Sequence, residues 1–443
     1  SPVNPYASTG LDQTEPWAHH QSELKWEVMT DWPPSSPTIE ISNSGNRGYG
    51  GPGVYAQSGL EFATHSSLPL APALSIPQLR HAPLNTGGQL PLVSQIVGNS
   101  FAPPLMNPNT VRSQAGERTL LDHSWFANSA LFDSHFFSGI ANPGGPLADG
   151  KDDAKSRLAA FLDKGTPLAN PRFIAYPGGS TTEEIVDRLS APDGHRKSAA
   201  HLLIDSPFNV NCARVDVWEA LLASTFGTDV PVRETTGITA SKGDGVPVLR
   251  HLPSPGRDFE SQADPLSRDR AKWNGYRRLD PDKVRELAEE VVREVRERGP
   301  FLSLAEFINR QPESGETGRS GALQAALEKA GINKALLAPA FDLPTGGNTA
   351  DGAPGVLTQA DLLTPLAPIL TARGDTFRVR AYGEAGAPGG AKVRAWCEAV
   401  VQRVPDYLDP AEAAWDTPEL PVNLRFGRRF VEVSFRWLSP SEI

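Results

Sequence analysis

Near the C-terminus apolar and polar residues alternate one for one, and that pattern restricts the fold more than any other feature of the chain. Phe377, Val379 and Ala381 alternate with Arg378 and Arg380. Val393, Ala395, Cys397, Ala399 and Val401 alternate with Arg394, Glu398 and Gln402. Val431, Val433, Phe435 and Trp437 alternate with Glu432, Ser434 and Arg436. Successive side chains of a strand point to opposite faces, so each run predicts a half-buried strand. Antiparallel pairing with one solvated face is the natural arrangement, and the Gly-rich stretch 383–390 supplies the first turn. The apolar face is expected to pack on a helix near Leu362, Leu366 and Leu370.

Upstream the period changes to that of helices. Ala154, Leu158, Phe161 and Leu162 fall at helical spacing, and Ser180 to Glu183 reads as a capping box ahead of Ile185 and Leu189. The clearest helix spans 281–298. Asp280 is its expected N-cap and Pro281 its first residue, and Gly299-Pro300 ends it. Val284, Leu287, Ala288, Val291, Val292 and Val295 form one stripe. Glu289 with Arg293, and Glu294 with Arg298, are expected i,i+4 pairs on the wet face. A second box, Ser303 to Glu306, follows at once, with Leu302 placed to staple against Phe307. The fold class is therefore α+β. Residues 1–110, rich in Pro, Gly, Ser and Asn, are expected to be irregular with short strands. Residues 111–345 make a helical domain with a long loop at 226–272, and 346–443 a C-terminal antiparallel sheet domain.

Composition narrows the function. The 52 acidic residues outnumber 42 basic ones, a net charge of −10, which argues against nucleic acid as a partner because phosphate neutralisation needs a basic surface. No run approaches the ~18 apolar residues of a membrane span. Ser1-Pro2-Val3 carries neither an initiator Met nor a leader, so the chain reads as a mature product or a piece of something longer. The two cysteines, Cys212 and Cys397, cannot build a disulfide framework or a four-ligand zinc site; they are two buried thiols or one bridge.

No arrangement reads as catalytic, and no cofactor or metal is expected. The pattern G-x-S-x-G is absent, and the Gly-rich tract 45–53 has no phosphate-loop Lys. Pro177 to Ser180 could hold an anion before a helix, although a turn with an N-cap explains it as well. Asp122, His123, Asp133 and His135 are interleaved with aromatics and read as structural. Asp149 to Asp153 could offer carboxylates to calcium but lacks the EF-hand pattern. Trp17, Trp26, Trp32 and Trp415 keep a second reading open, an extracellular polysaccharide-binding or hydrolytic protein.

The most informative local motif is Phe208-Asn209-Val210-Asn211-Cys212-Ala213 with Trp218 behind it, and Asn211 is placed to cap the following helix. It resembles the start of a helix–hairpin–helix type α-domain, without the glycine hairpin that approaches phosphate. Phe208 to Asn211, the segment Gly299-Pro300-Phe301-Leu302-Ser303-Leu304-Ala305-Glu306-Phe307, and 375–383 with 398–403 resemble the K-type minor pseudopilin of type II secretion, in which an α-domain is inserted in a pilin-type sheet. Segments 74–81, 97–101, 121–124, 136–140 and 360–367 resemble the Verrucomicrobia "Verru_Chthon cassette protein A" family. The resemblance implies a non-enzymatic structural subunit of the cell envelope, periplasmic or extracellular, in a type IV pilus-like or type II secretion-like apparatus. Its partners would be other prepilin-like or secretion-apparatus subunits, with any membrane anchor outside this chain. Phe208, Asn209, Asn211, Trp218, Phe301, Ser303, Glu306 and Phe307 are the residues it marks, for contact or for packing. No catalytic residue carries over.

Overall fold

The computed structural model describes residues 73–79, 97–98, 100–103, 106–134, 137–138, 154–234, 237–249, 276–334, 357–386 and 389–443. Helices run α1 His123–Ser134, α2 Ala154–Lys164, α3 Thr182–Ser190, α4 Val215–Leu222, α5 Pro281–Arg298, α6 Leu304–Ile308, α7 Ala322–Lys329, α8 Gln359–Leu366 and α9 Pro421–Phe426. Strands run β1 Arg112–Ala115, β2 Arg118–Leu121, β3 Phe173–Ala175, β4 Leu202–Ile204, β5 Phe208–Asn209, β6 Val230–Glu234, β7 Gly237–Ser241, β8 Val246–Leu249, β9 Tyr276–Leu279, β10 Leu370–Thr371, β11 Thr376–Ala385, β12 Val393–Tyr407 and β13 Arg428–Leu438. The class is α+β with small, mainly antiparallel sheets.

The chain divides into two compact units, Ser1–Phe137 with Val210–Pro368, and Ser138–Asn209 with Ile369–Ile443. This division departs from the boundaries expected from composition. Residues 154–209 go with the C-terminal strands, and 357–368 go with the helices. The loop expected at 226–272 is also corrected in its described part. The β6–β7 hairpin occupies 230–241, and β8 pairs with β9.

The first unit is built round α5. Asp280 caps it, its carboxylate accepting from the Lys283 N–H at 2.8 Å, and Pro281 opens it as expected. Its whole apolar stripe is buried, packed by α4 and α7. Two expected surface pairs come out differently. Arg293 binds Glu290 rather than Glu289, which turns to Arg285. Glu294 and Arg298 do pair, but both side chains are buried, with Lys329 as the third member at 2.6 Å. The stripe is wide enough to carry this turn of the helix inside.

Local caps shift as well. The α3 box is Thr181 with Glu184, one residue beyond the expected Ser180 and Glu183, because Thr181 is the residue with extended backbone just ahead of the helix. At α6, Ser303 accepts from Glu306 N–H, while Glu306 reaches back to Leu302 N–H at 2.6 Å. Leu302 is exposed and forms no staple; Phe301 takes its place against Phe307, with ring centroids 5.3 Å apart.

In the second unit β11, β12 and β13 form an antiparallel meander with β12 in the middle. Beside it a small core of Leu158, Phe161, Leu168, Phe173 and Leu202 is closed by α2, α3 and the β3–β4 pair. The expected helix partner of the sheet is corrected. Leu362 and Leu366 are buried among elements of their own unit, where α8 meets α7 and β8, and Leu370 lies in β10 beside β5. Phe377, Val379, Val393, Phe430, Phe435 and Trp437 of the strands remain exposed, while Val404, Tyr407 and Leu438 at the strand ends are buried.

Candidate interaction surface

The residues singled out in the sequence are brought together only in part. Phe208 and Asn209 form β5 in the second unit, half-buried and exposed respectively. Asn211, Trp218, Phe301, Ser303, Glu306 and Phe307 all belong to the first. There Asn211 does not cap α4, whose N-cap is Arg214 without a side-chain bond. Instead its amide pairs with the backbone of Phe301 in both directions, accepting from N–H at 2.6 Å and donating to C=O at 2.9 Å. Asn211 thus acts as one rung of a strand where the chain turns from α5 to α6. Trp218 stacks on Phe307 at 6.0 Å and donates to the Cys212 carbonyl at 2.8 Å. Both rings are buried and pack the unit, while Glu306 of the same motif is exposed.

The His/Asp group does not converge. Asp122 caps α1 through the Trp125 N–H and is buried against Arg310; His123 and Asp133 are exposed, and His135 lies outside the described residues. The segments 149–153 and 45–53, and Trp17, Trp26 and Trp32, lie outside them too. Among the described residues no group of three His, Cys, Asp or Glu could hold a metal, and no helix is long and apolar enough to cross a membrane. The turn before α3 is followed by Glu183 and Glu184, which oppose an anion at that helix end. Cys212 and Cys397 are free, half-buried thiols in different units.

One polar cluster in the second unit was not foreseen. Asp406 accepts from the Tyr176 hydroxyl at 2.7 Å and from Arg429 at 2.9 Å. Gly178, with φ +59°, passes so close that a Cβ there would meet Asp406 Oδ1 at 3.2 Å. His201, buried, faces Arg188 through Nε2 at 3.0 Å and the Tyr176 carbonyl through Nδ1 at 3.3 Å. A guanidinium only donates, so Nε2 is the acceptor and Nδ1 carries the proton. Arg188 also stacks on Trp415 at 4.5 Å. Trp415 is thereby a half-buried packing residue, and the cluster holds one carboxylate rather than the pair a glycosidase needs.

Burial lowers the affinity of His201 for a proton, and Arg188 acts in the same direction against Asp406 and the Tyr176 carbonyl. The unfolded chain therefore takes up this proton at its ordinary value of 6.5, before the folded chain does. Stability is held above that pH, falls as pH drops through it, and levels off below the folded value. Urea midpoints measured between about pH 7 and 5 should fall in the wild type, with His201→Gln removing that part of the fall. The carboxylates held below their ordinary range, Glu398 among them, give up their share only at lower pH.

The feature with the clearest outward chemistry is the meander, one face of which gathers ion pairs beside a Tyr382–Trp396 contact at 5.3 Å. On that face Glu398 is buried and receives Arg380 at 2.8 Å, Arg436 at 3.1 Å and Arg378 at 3.8 Å. The Arg380 hydrogen bond, helped by Arg436 and Arg378 against desolvation, holds its carboxylate below the usual range. Glu384 gathers Tyr382, Lys392 and Arg394 on the same side. The charges of this face satisfy one another. On the other, the register sets Phe377 opposite Val401, Val379 opposite Ala399, Ala381 opposite Cys397, and Cys397 and Ala399 opposite Trp437 and Phe435. Phe430 closes on Phe377 at 5.9 Å, and Phe435 meets Trp437 edge-on at 5.5 Å. Trp437 is 68% exposed, Phe435 48% and Val379 50%.

No family model, no curated protein and no solved structure matches this chain. Water contact over so many aromatic and branched side chains is costly, and a monomer rarely keeps a contiguous apolar patch beyond ~300–600 Å² unless it is used. The arrangement can bind an apolar surface.

Proposed function

We propose that this chain is a non-enzymatic assembly subunit that acts by protein–protein contact, and that its place is an envelope apparatus of the type IV pilus-like or type II secretion-like kind. The reading rests on the exposed aromatic face of the β11–β12–β13 sheet. A half-buried pattern predicts a covered face, yet this one lies open beside an ionic face that is internally satisfied. The apparatus comes from the resemblances of 208–211, 299–307, 375–383 and 398–403, which point to pilin-like subunits and a helix–hairpin–helix-like insertion. The helical unit, packed round α5, would present the specific contacts of the subunit while the sheet docks.

The test is co-purification with prepilin-like subunits from the cells that make the protein. Wild type is expected to retain them, and Trp437→Asp to lose them by roughly tenfold or more, as a central aromatic anchor does when truncated. Circular dichroism should be unchanged, because Trp437 is exposed. A chain that captures none of those subunits at any concentration contradicts the proposal.

A further inference from the structure

We infer that the occupant of the apolar sheet face is the same face of a second copy of this chain, the two meanders stacking as a two-layer sandwich. The inference rests on the assembly reading and names the partner.

Extent, shape and charge carry it. At ~150–250 Å² for an aromatic side chain, the exposed parts of Phe377, Val379, Val393, Phe430, Phe435 and Trp437 come to roughly 700 Å². Two copies would bury about 1,400 Å², within the ~1,200–2,000 Å² of a standard stable interface. The central strand contributes small residues, Ala395, Cys397 and Ala399, between bulky rows on β13 and β11. A two-fold axis parallel to the strands lays Trp437 of one copy over Ala381 of the other, which leaves room for the ring, and Phe435 over Val379. Stacked sheets lie ~10 Å apart, and interdigitation of this kind fills that gap.

Charge selects this contact over others between copies. The chain as a whole carries −10, so most copy-to-copy encounters are repulsive. Between Ile369 and Ile443, however, ten arginine and lysine residues are matched by ten aspartate and glutamate residues. The fringe of the face holds both signs, with Arg403 paired to Asp375 and Glu432 opposite Val401. The sheet unit is thus where two copies meet least opposed.

Cys397, a free thiol on the middle strand of this face, makes the test direct. The full chain carrying Cys212→Ser is followed by sedimentation velocity across a concentration series and treated with a short bismaleimide. The expected result is a concentration-dependent dimer joined through Cys397. Val379→Asp should weaken dimerisation roughly tenfold or more and abolish the adduct, while Arg378→Ser on the opposite face leaves both unchanged. A monomer at the highest soluble concentration overturns the inference, as does an adduct indifferent to Val379→Asp. So does a monomer that binds lipid vesicles through Trp437. If the monomeric chain still captures prepilin-like subunits and Trp437→Asp prevents it, self-association fails and the assembly reading stands. Failure of both dimerisation and capture removes both.

Discussion

Replacing Arg310 with Met should destabilise the helical unit by about 3–5 kcal/mol, the cost of leaving one member of a buried ion pair without its partner. The Arg310 side chain is fully buried, and Nε donates to Asp122 Oδ2 at 3.0 Å. Its Nη atoms donate to the carbonyls of Pro108 and Thr110, each at 2.6 Å, and Nη1 also to Gly318 at 3.4 Å. One guanidinium therefore ties the chain before β1, the cap of α1 and the segment before α7. Methionine fills much of the volume but donates nothing, so Asp122 and three carbonyls lose their donor. Arg310→Lys keeps the charge without the planar fork and should fall between the two. Denaturant unfolding monitored by far-ultraviolet circular dichroism reads the difference. A loss below about 1 kcal/mol for Arg310→Met would mean that water replaces the guanidinium without penalty.

Trp218→Ala should cost a similar ~3–5 kcal/mol, from the other side of the balance. This side chain is among the largest that are fully buried, and it stacks on Phe307, which in turn meets Phe301. Removing it opens a cavity between α4 and the α5–α6 corner that rigid neighbours cannot fill. Trp218→Phe separates the terms. It keeps most of the packing and gives up the hydrogen bond to the Cys212 carbonyl, so a loss of about 1–2 kcal/mol is expected. Equal losses for the two variants would show that the hydrogen bond, not the packing, holds the corner.

Legibility of this fold from sequence follows the range of the interaction. The three C-terminal strands were readable because a two-residue period is set residue by residue, and α5 because its cap, first-turn proline and stripe agree. Interactions between distant segments were not. Its sequence position suits Asn211 to cap the next helix, a local use, while the side chain pairs with Phe301 ninety residues away. Gln324 and Gln359 bind each other's backbone N–H in the same manner, and Asn333 binds both groups of Leu357. Such buried amides stand in for missing strand rungs, and a sequence shows only a polar residue near an apolar one. The expected wet pair Glu294 and Arg298 was misplaced for the same reason: Lys329, which completes it, comes from α7.

For the candidate surface the position is reversed. The alternation places Phe377, Val379, Phe435 and Trp437 on one face, and the register joins them, but the irregularity at Val400/Val401 turns Val431 to the other face opposite Gln402 and brings Phe430 in its place. What alternation cannot tell is which layer covers an apolar face, since a helix of the same chain and a neighbouring molecule satisfy the pattern equally. Leu362 and Leu366 were the natural covering residues, and they are consumed by the helical core of their own unit. The ionic face was no easier to read. Arg378, Arg380 and Arg436 stand in sequence only as the polar positions of two separate strands, and the register shows that Glu398 sits among them.

The most direct test of the central claim is photo-crosslinking from Val379 in the cells that make the protein, with Arg378, the next residue on the opposite face, as the control position. The account predicts adducts to a defined protein, a second copy or an apparatus subunit, from position 379 and not from 378. Equal yields from the two positions, or none from either, would contradict it.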